Sequence, residues 1–145
     1  MSFVRVWIHY VWATKHRQPI LIDTYRQALF KHIQENARVK NICLDRINGY
    51  IDHVHCLVSL DRQQTIETVA QLLKGESSFW FNNKSGLNAP KLYWQNEYFA
   101  TSVSENLVNK TRAYIDSQIA HHQVKTFNQE YEEMIRDFGF PEMRL

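Results

Sequence analysis

Alternation of apolar and polar positions opens the chain. Residues 3–13 are rich in β-branched and aromatic side chains, which predicts a strand. One face carries Val4, Val6, Ile8 and Tyr10, the other Phe3, Arg5, Trp7 and His9. The pattern then changes to a helical period. Asp23 caps a predicted helix reaching about Arg38, with Leu29, Phe30 and Ile33 on its buried side. Residues 44–50 and 53–60 form a predicted strand pair, with Asn48-Gly49 as a turn or bulge. Thr65 begins a second helix whose apolar face is Ile66, Val69, Leu72 and Leu73. Residues 82–90 are dense in turn formers and read as a loop. Residues 98–103 are a short predicted strand, and Ser104 caps a third helix running to about His121. From about Val124 the pattern is that of an appended helix and tail.

The order is strand, helix, strand, strand, helix, strand, helix. Its first six elements match a split β-α-β unit, which predicts an α+β, ferredoxin-like antiparallel sheet with helices packed on one face. A C-terminal tyrosine-bearing helix is added to it. We expect one domain over residues 1–123, with 124–145 as a helical tail of the same domain. The architecture alone implies no activity.

Composition narrows the picture only a little. The chain has 145 residues, 44% hydrophobic and 22% charged, as befits a single globular domain. No apolar run approaches twenty residues, so no membrane span is expected, and the first residues lack the layout of a secretory signal. Cys43 and Cys56 have no short metal-binding spacing and read as reduced thiols of a cytoplasmic protein. The net charge of +2 is a mild basic lean, so any anion site must come from local clustering.

Chemistry concentrates at His53-Val54-His55. Residues two apart on a strand share a face, so His53, His55, Leu57 and Ser59 point one way and Val54, Cys56, Val58 and Leu60 the other. The second face is the more apolar and should lie under the helices. That leaves the histidines on the opposite, open face. Two imidazoles there either hold a metal ion with a third ligand or are polar groups bonded to the sheet. Asp52 is placed to orient an imidazole.

The predicted helix over residues 104–121 carries the second feature. Leu107, Thr111, Tyr114, Gln118 and His121 fall on one stripe, while Val108, Ile115 and Ile119 form an apolar stripe for packing. Tyr114 and Gln118 thus project together. A phenol has a pKa near 10 and attacks phosphorus only when the phosphate is polarised. The amide oxygen of Gln118 is a hard ligand suited to Mg²⁺ or Mn²⁺. Taken singly, a helical tyrosine also serves packing, a helical glutamine also faces solvent, and His121, one turn past Gln118, reads first as a surface histidine and second as a group just outside the ligands.

These residues resemble a known group. Asp52-His53-Val54-His55-Cys56-Leu57-Val58, preceded by Gly49-Tyr50, is similar to the His-hydrophobic-His (HUH) motif of the single-tyrosine transposases, the IS two-hundred-like insertion-sequence enzymes and their repeat-associated relatives. Residues 6–15 are similar to that family's opening strand, 73–78 to its second-helix segment, and Tyr93-Trp94-Gln95 to the approach to its last strand. Tyr114 and Gln118 match the spacing of its catalytic tyrosine and third metal ligand. The resemblance implies a homodimer that recognises hairpins in single-stranded DNA. It implies Mg²⁺ or Mn²⁺ on His53, His55 and Gln118, and attack by Tyr114 to give a 5′-phosphotyrosine and a free 3′-OH. It further implies that the tyrosine helix can serve the partner's histidine pair.

Candidate phosphate contacts are Arg5, Lys15, His16, Arg17, Lys74, Lys110 and Arg112. Trp80, Phe81, Tyr93 and Trp94 are candidates for stacking on unpaired bases, with core packing expected for at least half of them. Two further readings stay open. One is a domesticated hairpin-binding protein without transposition activity. The other is a His-x-His hydrolase of small molecules, which the lack of acidic ligands near the motif disfavours.

Overall fold

The computed structural model describes residues 1–140; the last five residues of the expected tail, 141–145, lie outside it. Four antiparallel strands form one sheet: β1 (Val6–Ala13), β2 (Cys43–Gly49), β3 (His53–Leu60) and β4 (Phe99–Val103), in the order β2-β3-β1-β4. Helices α1 (Asp23–Val39) and α2 (Ile66–Asn83) lie between strands in sequence and pack together on one face. The main core sits there. Tyr10, Trp12, Val54, Cys56 and Val58 meet Leu29, Ile33, Val69 and Leu73.

The elements follow their sequence signals with local exceptions. Strand β1 starts at Val6, and Phe3 and Val4 are exposed ahead of it. Asp23 stands inside α1 rather than capping it; its carboxylate accepts from Arg26 and Gln27 instead. Thr65 does cap α2, accepting from the Thr68 amide. In β2 the register irregularity falls between Leu44 and Arg46, and Gly49 is the last residue of the strand. A Cβ on Gly49 would lie 2.1 Å from the His53 carbonyl oxygen, so only glycine lets the two strands close here.

The other face of the sheet was expected to be open, and it is not. Residues 104–121, expected as one helix, form a 3₁₀ turn at Glu105–Leu107, then α3 (Val108–Asp116) and α4 (Gln118–His122). Ser104 makes no side-chain cap. The break falls at Ser117 (φ −100°, ψ 18°), whose amide bonds to the carbonyls of both Ala113 and Tyr114. It turns Gln118 inward to full burial and leaves Ile119 exposed, whereas Val108 and Ile115 pack as expected. Helix α5 (Phe127–Asp137) then folds back across the sheet. Thr126 and Gln129 form a reciprocal capping box at its start. Phe127 and Tyr131 pack on Val11, Ala13 and Phe99, while Val108 and Ile115 of α3 pack on Leu57. The sheet is therefore covered on both faces.

Candidate metal centre and tyrosine

His53 and His55 share the sheet face beneath α3, α4 and α5, and both are 0% exposed. Polar partners meet them there, beside the Phe127 ring stacked on His53. The imidazole of His53 donates from Nδ1 to Asp52 Oδ1 at 2.8 Å, and its Nε2 lies 3.1 Å from Gln118 Oε1. Asp52 thus holds the ring in one orientation, as expected. His55 is oriented by His9, whose Nε2 is 2.9 Å from His55 Nδ1. The register explains this pair: His9 lies opposite Leu57 and His55 opposite Val11, so the two histidines are diagonal neighbours on one face. Burial is the main reason that both imidazoles sit below their usual range, His9 at about 3 and His55 at about 4.

Tyr114 projects from α3 to the same place. Its ring centroid is 5.6 Å from that of His55 and 6.2 Å from that of His9. The histidine pair it reaches belongs to its own chain. Its phenol donates a hydrogen bond to Glu130 Oε2. Burial first, then the Glu130 charge and that hydrogen bond, push the phenol well above its ordinary value. Glu130 shifts the other way. Burial opposes ionisation, but hydrogen bonds from His122 and His55 outweigh it and hold the carboxyl well below its usual range. The cluster therefore keeps a protonated phenol against an ionised carboxylate.

Glu130 and His122 were not foreseen. Glu130 is 1% exposed and reaches His55 Nε2 at 3.1 Å and His122 Nε2 at 3.3 Å. His121, expected at the surface, is instead half-buried with Nε2 3.2 Å from Glu130 Oε2. With Tyr114 it forms the part of the cluster that retains exposure. A signal for Glu130 existed: Phe127, Glu130, Tyr131 and Met134 share one helical face, a single carboxylate in an apolar stripe. His9 was likewise visible on the motif's side of β1.

The donor set fits a divalent cation. Two imidazoles and an amide oxygen meet, and one imidazole is fixed by Asp52 so that Nε2 faces inward.

The residues expected to touch phosphate are dispersed. Arg5 pairs with Glu105 at 3.1 Å, and Arg112 holds Asp45 through two bonds of 2.7 and 2.8 Å. Lys74 donates to the carbonyls of Gln95, Asn96 and Glu97, so it braces that loop. Arg17 lies 5.5 Å over the Phe127 ring. Lys15, His16 and Lys110 are exposed. Of the four stacking candidates, Phe81 is core, Trp80 stacks on His32 at 4.0 Å and Trp94 packs on Trp12; Tyr93 is 58% exposed.

Residues 2–118 match the family described as IS200-like transposases. The chain belongs to that family. It is 28% identical over 114 residues to the ISDra2 transposase TnpA of Deinococcus radiodurans, covering 76% of this chain and 81% of that protein. Its fold is similar to a crystal structure of a candidate transposase from the same species, with a TM-score of 0.64 and 24% identity over 81% of this chain and 93% of the other. It also resembles a REP-associated tyrosine transposase solved with a REP hairpin, with a TM-score of 0.56 and 15% identity over 84% and 70% of the two chains. As an IS200-like transposase the protein is a DNA-processing enzyme by family, and the α+β antiparallel fold is shared with these structures. Among the described residues no helix is long and apolar enough to cross a membrane. The family match ends at Gln118, so His122 and Glu130 lie beyond it.

Proposed function

We propose that this chain cleaves and rejoins single-stranded DNA near hairpins through a 5′-phosphotyrosine on Tyr114. The observation that carries the proposal is the meeting of Tyr114 with His53, His55 and Gln118 in one cluster of an IS200-like transposase. His53, His55 and Gln118 hold the ion, Mg²⁺ or Mn²⁺. When bound, it supplies positive charge to the scissile phosphate. The Tyr114 oxygen attacks phosphorus, forming the tyrosyl–phosphate bond as the P–O3′ bond breaks. The phenolic proton passes to Glu130 Oε2, the acceptor it already touches, and the leaving 3′ oxygen takes up a proton from water. A later 3′-OH reverses the step at a new junction.

A hairpin as the recognised element is supported by the fold relative solved on one. Exposed Lys15, His16 and Lys110 are the side chains best placed to meet phosphates without breaking existing contacts. The expected homodimer is not needed to bring a tyrosine to the histidines, because each chain supplies both.

The test is incubation of the protein with labelled single-stranded DNA from the flanks of its own gene, with Mg²⁺ or Mn²⁺, followed by denaturing electrophoresis. Wild type should give a protein–DNA band; Tyr114→Phe should lose it while still binding the hairpin. A covalent band in Tyr114→Phe would reject the nucleophile. Full burial of both histidines favours a second reading, a hairpin-binding protein that no longer cuts. Hairpin binding by wild type without cleavage in either metal would establish that reading instead.

A further inference from the structure

Five side chains direct nitrogen and oxygen atoms at one small volume, and two of them come from the segment beyond the family match. Gln118 Oε1 lies 3.1 Å from His53 Nε2 and 3.0 Å from His122 Nε2. Glu130 Oε1 lies 3.1 Å from His55 Nε2, 3.3 Å from His122 Nε2 and 3.5 Å from His53 Nε2.

The protons on these groups follow from their other contacts. His122 Nδ1 is 2.7 Å from the Lys125 carbonyl, and His53 Nδ1 is 2.8 Å from the Asp52 carboxylate. Neither partner can donate, so both Nδ1 atoms carry a proton, and Nε2 is the ring atom left to face Gln118 and Glu130. The Gln118 amide nitrogen is directed at Glu130 Oε2 and the Tyr114 carbonyl, which fixes its oxygen toward His53 and His122. In the ion-free chain a proton on Nε2 of His122 or His55 serves Glu130; without it the same nitrogens turn lone pairs toward the carboxylate across about 3 Å. Lone pairs brought together in a buried site require positive charge between them. The spacing suits a metal ion. Adjacent ligands on an octahedral ion with bonds of about 2.1 Å lie roughly 3 Å apart.

We propose that His122 and Glu130 are ligands of the same divalent ion as His53, His55 and Gln118, so that the site is completed by α4 and α5. The inference rests on reading the cluster as a metal centre. It also gives Glu130 a purpose that its position in an amphipathic helix does not. The three ligands implied by the family resemblance are all neutral. A carboxylate halves the net charge that the buried site must carry, and buried charge is stable only when paired. Glu130 would then join the cation through Oε1 to the nucleophile through Oε2, setting the distance between them. The cluster in which α5 folds onto the sheet would thus be linked to metal binding.

The experiment uses the full chain and Mn²⁺ alone, without DNA. Calorimetry gives affinity, and electron spin-echo spectroscopy counts the imidazole nitrogens coupled to the bound ion. Wild type should show three coupled imidazoles, and His122→Ala two. Glu130→Gln, which keeps the side-chain shape, should bind Mn²⁺ at least about tenfold more weakly, a loss no smaller than that from removing a ligand's hydrogen-bond partner. Two coupled imidazoles in wild type, or unchanged affinity in Glu130→Gln, would overturn the proposal while leaving the His53, His55 and Gln118 site intact. The spectrum of wild type decides the point even if a variant fails to fold. No Mn²⁺ binding by wild type would overturn it together with the metal-centre reading.

Discussion

At the scale of single residues, the site depends on imidazoles oriented by partners one step away and, at His9 and His55, kept neutral by burial. Asp52 does this for His53 and His9 for His55. Removing such a partner commonly costs 10–100-fold in metal affinity. Asp52→Asn should therefore weaken Mn²⁺ binding by about that factor, with an unchanged melting temperature in the metal-free protein; calorimetry checks it. Neutrality also has a pH signature. His9 and His55 titrate near 3 and 4 in the folded chain because they are buried, against about 6.5 when unfolded. Between those values the unfolded chain binds more protons than the folded one, so stability rises with pH there. The contribution is complete above about pH 6.5 and is lost as pH falls toward 4. Melting temperatures of the metal-free protein should fall over that window, and His9→Asn should flatten the fall; an equal slope in the variant would contradict it.

At the scale of elements, the strands were legible because alternation and β-branching are local signals. The split β-α-β order, the apolar face of β3 and the His53/His55 pair on the opposite face follow from spacing alone. The covered second face did not. Nothing in residues 104–121 signals the break at Ser117, since Gln118 and Ile119 continue an unbroken helical period. Glu130 was missed for a related reason: its place in the apolar stripe of Phe127 and Tyr131 gains meaning only once α5 is known to fold onto the sheet. That docking is anchored by Phe127, buried against Val11 and Ala13 and stacked on His53 at 4.2 Å. Phe127→Ala should cost about 3–5 kcal/mol of local packing. Amide exchange should then accelerate across α4 and α5 while β1 and β3 keep their protection; uniform acceleration would show that α5 is not a separable unit. The β2–β3 connection has the opposite character. Gly49→Ala places a methyl against the His53 carbonyl and should lower the melting temperature of the whole domain.

At the scale of the whole molecule, three layers bring the motif strand, the tyrosine helix and the carboxylate of the last helix together in one chain. The arrangement makes a prediction about assembly. Mixing Tyr114→Phe protein with protein carrying His53→Ala and His55→Ala should not restore covalent DNA attachment, because each copy uses its own tyrosine. Recovered activity would mean that helices are exchanged between subunits.

The claim on which all of this turns is that Tyr114 forms the bond to DNA. It is tested most directly by digesting the protein–DNA adduct with nuclease and trypsin and weighing the peptide that runs from Ala113 to Lys125. A nucleotide mass on Tyr114 in that peptide is the predicted result. Cut DNA with that peptide unmodified, or with the mass on another residue, would contradict it.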